Sequence, residues 1–165
     1  YTISLHIIFN IKEPKVVLKM FNFFKKVPSN NSDKNDVVEF NFELVGCALA
    51  YEVAKADGAI DTNELDKIKA EIENKSNELG LNSEEVFLTI EKQSNESISF
   101  NDFINQINDN FAQDQKVQMI QFLWQTAYAD NVLDVDEERL IRRIADMIRI
   151  KDMKVLKLKD QAKNN

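Results

Sequence analysis

Ala54–Leu65, AKADGAIDTNEL, and Ala127–Glu138, AYADNVLDVDEE, are two copies of one motif, set 73 residues apart. Each reads Ala, Asp, Gly or Asn, a small or branched residue, an apolar residue, Asp, two variable positions and Glu. Several matched positions at one offset mark a repeated structural unit, although the sequence between the copies is not visibly repeated. The motif also carries its own fold signal. Gly58 and Asn131 are residue types that tolerate a left-handed backbone and end a helix. Asp61 and Asp134 are good N-caps, and Glu64 and Glu137 three residues later complete capping boxes. Each copy is therefore expected to join two helices, with Ile60 and Leu133 tucking the turn under the core.

Outward from the motif, apolar residues recur at spacings of three and four, the helical period. Val37, Phe40, Leu44, Ala48 and Tyr51 predict a helix from Asp36 to about Lys55. Further helices are expected over Asn63–Leu79, stopped by Gly80, and over Ser83–Lys92, capped by Asn82 and Glu85. Ser99 is placed as the cap of a fourth, carrying Phe103, Ile104, Ile107 and Phe111. The remaining three cover Gln115–Ala129, Asp136–Arg149 and Asp152–Ala162. Gly46-Cys47-Ala48-Leu49-Ala50 is a small-residue run that lets another helix approach. With three Gly and two Pro in 165 residues, tight turns are rare. The expected fold is all-α, a compact bundle of about seven helices with an internal two-fold pseudo-repeat.

Residues 1–35 read as an N-terminal extension and linker, and 36–165 as the helical domain. The chain opens on Tyr1, and Lys12, Glu13 and Pro14 interrupt its first apolar run, so no secretory signal fits. The amphipathic segment MFNFFKK from Met20 is the expected start of the folded unit, followed by the polar stretch Val27–Asp36. No apolar stretch is long enough to span a membrane.

Charge is segregated. The net charge is −7, yet residues 1–34 and 142–165 carry balances of +4 and +5, leaving −16 on residues 35–141. An acidic body is unsuited to nucleic acid and suits cations, basic partners or plain solubility. The basic tail is expected to be a solvated face or to dock an acidic partner, including the chain's own middle. Cys47 is the single cysteine and His6 the single histidine. That excludes a disulfide framework and thiolate zinc, removes histidine-based catalysis, and fits a cytoplasmic protein. Phosphate-binding glycine loops and nucleophile elbows are absent, so an enzyme is not expected.

Asp57 and Asp130 fit a purely structural account less well. Each is read at a helix C-terminus, where the exposed carbonyls favour cations over carboxylates. A divalent cation would relieve that conflict, pooling Asp57, Asp61, Glu64, Asp130, Asp134 and Glu137 as oxygen ligands for calcium, magnesium or manganese. An EF-hand is a poor reading, because Val53 and Lys55, or Thr126 and Tyr128, stand where its opening carboxylates belong. Two further readings stay open: a structural scaffold in which the carboxylates are caps, and, remotely, a metal-dependent hydrolase.

ALAYEVAKADGAIDTNELDKI and LWQTAYADNVLDVDEERLIRRIADMI resemble the TerB-like domain over about Val37–Ala162. That family includes the tellurite-resistance protein TerB and the N-terminal domain of DjlA-type membrane-linked co-chaperones. The resemblance implies an all-helical pseudo-symmetric bundle and a stress-response role with protein partners near the membrane. It also implies metal-binding acidic loops, with Asp57, Asp61 and Glu64 matching the first motif and Asp130, Asp134 and Glu137 the second. Asn131 departs from the family's usual Gly. No J domain is present, so co-chaperone activity does not carry over.

Overall fold

The computed structural model describes residues 41–95 and 100–164, and the extension 1–35 and the helix cap placed at Ser99 lie outside them. Among the described residues there are seven helices and no strand: α1 Phe42–Ala54, α2 Thr62–Leu79, α3 Ser83–Asn95, α4 Phe100–Asn110, α5 Gln113–Ala127, α6 Val135–Met147 and α7 Asp152–Lys163. No helix of these is long and apolar enough to cross a membrane.

The first helix begins later than periodicity predicts. Asn41 is extended (φ −82°, ψ 113°), and its side chain accepts from the Glu43 and Leu44 amides. An Asn committed to N-capping cannot sit inside a helix, so the expected helix does not run through Asn41, and its stretch over residues 36–40 lies outside the described residues. Helix α1 is apolar nearly all round, with nine of its thirteen residues buried. Such a helix belongs in the middle of a bundle, and α1 packs on α5, α2, α3 and α6.

The other central helix is α5, which contacts α1, α2, α6 and α7. Its Met119, Ile120, Leu123 and Trp124 are buried, and with α1 they form the centre of the core. The contacts are reciprocal: α1 touches α6, the helix after α5, and α5 touches α2, the helix after α1. That exchange is what a two-fold relation between helix–loop–helix halves requires. Outer helices are amphipathic, with Ile68 and Ile72 of α2 and Ile141 and Ile144 of α6 turned inward.

Gly80 (φ 67°) ends α2, with the Leu81 amide donating to the Ser76 carbonyl. The end of α6 repeats this geometry at Arg149 (φ 67°), where the Ile150 amide donates to the Ala145 carbonyl. Both are Schellman closures, and the second lacks the glycine by which a sequence usually announces one. Cys47 is fully buried. Part of the basic tail docks on the acidic middle, with Lys159 Nζ 2.7 Å from Glu138 Oε1 and 5.7 Å above the Trp124 ring.

Candidate metal centre

The two motif copies fold into matching loops, bond for bond. In the first, the Ala56 amide donates to the Val53 carbonyl at 2.9 Å and Gly58 to Lys55 at 2.9 Å. In the second, Ala129 donates to Thr126 at 2.9 Å and Asn131 to Tyr128 at 3.0 Å. Gly58 (φ 93°) and Asn131 (φ 65°) hold the left-handed position expected of them. Ile60 and Leu133 are half-buried and packed against the core.

Each loop uses its two aspartates in the same way. Asp57 Oδ1 accepts from the Ala59 amide and Asp130 Oδ1 from the Val132 amide, both at 2.9 Å. Asp61 Oδ1 accepts from Asn63 and Asp134 Oδ1 from Asp136, both at 2.7 Å. The Asp134 amide donates to Glu137 Oε2 at 3.2 Å, completing the second capping box. Helix α1 ends at Ala54 and α5 at Ala127, so Asp57 and Asp130 stand beyond the helix ends proper. The loop amides there hold a carboxylate in place against the helix dipole, a stabilisation that spacing alone does not reveal.

The glutamates are the unexpected part. Glu64 and Glu137 are only 4% exposed, and their carboxyl groups hydrogen-bond to each other between the two halves. Two carboxylates cannot share a buried hydrogen bond unless one keeps its proton. Burial is the largest cause raising Glu64, to about 8, followed by the bond to Glu137 and the charges of Glu137 and Asp130. Burial also raises Glu137, while the bond from Glu64 and the Asp134 amide pull it down. Burial and the shared hydrogen bond thus keep one proton on the pair, which titrates as a unit. The influences cross over: Asp130 acts on Glu64, and Asp57 acts on Glu137.

The six predicted residues therefore fall into two groups. Glu64 and Glu137 meet, with Asp57 and Asp130 close enough to act on them electrostatically. Asp57 and Asp61 are exposed and Asp130 and Asp134 half-buried, each with one oxygen on a loop or helix amide. Among the described residues no three acidic, cysteine or histidine side chains are already gathered around one cation-sized point. The four carboxyl oxygens of the pair are of the donor type that hard cations prefer.

One buried polar residue had no signal in the motif. Lys116 on α5 is buried and donates to Asn108 Oδ1 at 2.9 Å, while Asn108 Nδ2 donates to the Met147 carbonyl at 3.0 Å. Burial pushes its amine below the usual lysine range, and the Arg149 charge adds to this. The network braces α4 and α5 against the end of α6.

No match was found among curated proteins or among solved structures. The family model described as tellurite resistance protein TerB matches residues 21–160. That match spans both loops and every helix from α1 to α6, so this chain belongs to the TerB family.

Proposed function

We propose that this TerB-type module takes up a divalent cation between its two acidic loops and presents its helical surface to protein partners, without catalysing a reaction. The observation that carries the reading is the meeting of Glu64 and Glu137 at equivalent positions of the two halves. A buried carboxyl pair is held together by one proton, and a small oxygen-seeking cation can take that proton's place. Calcium, magnesium and manganese have the matching ligand preference, and Asp57 and Asp130 supply further negative charge. Loops that change from proton-bridged to cation-bridged would alter how α2 and α6 present themselves, which suits a sensor that signals through partners. A cytoplasmic setting and stress complexes near the membrane are the context the family resemblance implies.

A structural scaffold is the second reading. It is favoured by the hydrogen bonds that Asp57, Asp61, Asp130 and Asp134 already make to amides, since such loops are stable without an ion. Thermal melts in EDTA and then in millimolar calcium, magnesium or manganese separate the two. Binding to the folded state raises the melting temperature by linkage, and the rise grows from pH 6 to pH 8 as the cation displaces a proton. An unchanged melting temperature with every ion at both pH values leaves the scaffold.

A further inference from the structure

Away from the acidic loops, α1, α2 and α5 enclose a groove of about 550 Å³. Its lining combines apolar Phe42, Gly46 and Phe122 with acidic Glu43 and Glu71 and basic Lys67, and Glu43 is paired with Lys75 at 2.9 Å. Gly46 opens onto it, because a Cβ there would meet Met119 Cγ and Phe122 Cδ1 only at 3.9 Å, ordinary contact distance. A small residue here keeps the floor of the groove open between α1 and α5. A concave, half-apolar surface of this size suits a few inserted side chains.

We propose that this groove seats the chain's own Met20–Val27 segment, MFNFFKKV. Three observations converge on that occupant. First, the chain enters the described domain at the groove itself, since Phe42 is the first residue of α1 and also lines the groove. Residues 28–41 separate the segment from α1, and fourteen residues reach at most about 50 Å. Tethering over such a length sets an effective concentration on the order of millimolar, so a weak contact suffices. Second, the chemistry is complementary. At helical spacing Met20, Phe23, Phe24 and Val27 share one face and Asn22, Lys25 and Lys26 the other. The apolar face matches the half-buried Phe42 and Phe122, and the lysines match Glu71. Third, the TerB family match begins at residue 21, within this segment and well ahead of α1. The segment thus falls inside the span of the family match together with the bundle.

The test uses the full chain with a nitroxide on Asn22→Cys, on the polar side of the segment. Cys47 is fully buried, with a thiol pushed above its usual range chiefly by that burial, and does not compete for the label. Ala70, Asn74, Gln118 and Gln121 line the groove, and their amide signals are expected to lose at least half their intensity until ascorbate reduces the label. Phe23→Asp with Phe24→Asp, which changes no residue of α1–α7, is expected to restore them. Gly46→Leu, which fills the groove from within, is expected to do the same. Full intensity at these amides in the labelled chain overturns the proposal. So does broadening that vanishes when labelled chain is mixed with excess unlabelled chain, since the occupant is then a second copy. Immobilisation of the label only by phosphatidylglycerol vesicles, with groove amides unchanged, overturns it in favour of a membrane surface.

Discussion

Glu64 and Glu137, each three residues after a capping aspartate, donate and accept one hydrogen bond across the junction of the two halves. Neither partner is within reach of the other in sequence. Their contact exists only because α2 and α6 are related through the α1–α5 pair.

The pair makes stability fall with rising pH when no cation is present. A carboxyl held above its unfolded pKa binds its proton more tightly in the folded state, so its contribution is complete below about pH 4.5. That contribution is lost as pH rises toward about 8. Urea unfolding in EDTA should show stability falling steadily between pH 5 and pH 8.5. Glu64→Gln keeps a donor for Glu137 and should flatten that slope; an unchanged slope would mean the proton resides elsewhere.

Asp57→Asn and Asp130→Asn should be neutral or slightly stabilising in EDTA. The amide oxygen still accepts from Ala59 or Val132, and one negative charge is removed near the Glu pair. Asp57→Ala deletes the acceptor and should cost about 1 kcal/mol. Equal melting temperatures for the Asn and Ala variants would contradict the loop-bracing role.

The caps are expected to act independently of any ion. Asp61→Ala and Asp134→Ala each remove the acceptor for an N-terminal helix amide and should cost roughly 1 kcal/mol, in EDTA and in calcium alike. A cost seen only with the ion would make these residues ligands before caps.

Arg149→Gly should stabilise the fold by up to about 1 kcal/mol. The substitution relieves a left-handed arginine at the end of α6 and removes a positive charge acting on buried Lys116. Chemical denaturation of the two proteins reads this directly, and a destabilised variant would show that the Arg149 side chain contributes more than its strained backbone costs.

Much of this was legible along the chain. Apolar periodicity located α2, α6 and α7 to within about two residues, because their amphipathic faces are regular and their ends are signposted by Asp61, Gly80 and Asp134. Helix α1 was misjudged at its start because Asn41 is read as an interior polar residue until its side chain is seen capping. The paired aspartates were found, but their account needed revision. Their conflict with the helix dipole is met by loop amides two residues on, contacts that depend on backbone dihedrals and not on residue type.

Local chemistry is written in the order of residues. Left-handed tolerance, capping and helical period are properties of a few neighbours, which is why two helix–loop–helix units and an all-α bundle follow from the string alone. Burial is different, because it depends on what lies across from a side chain. Glu64 and Glu137 read as ordinary solvent-facing cap partners until the halves close on each other. Then the same two residues become a desolvated, proton-sharing pair, since the energy of a charge is governed by surroundings contributed from 73 residues away.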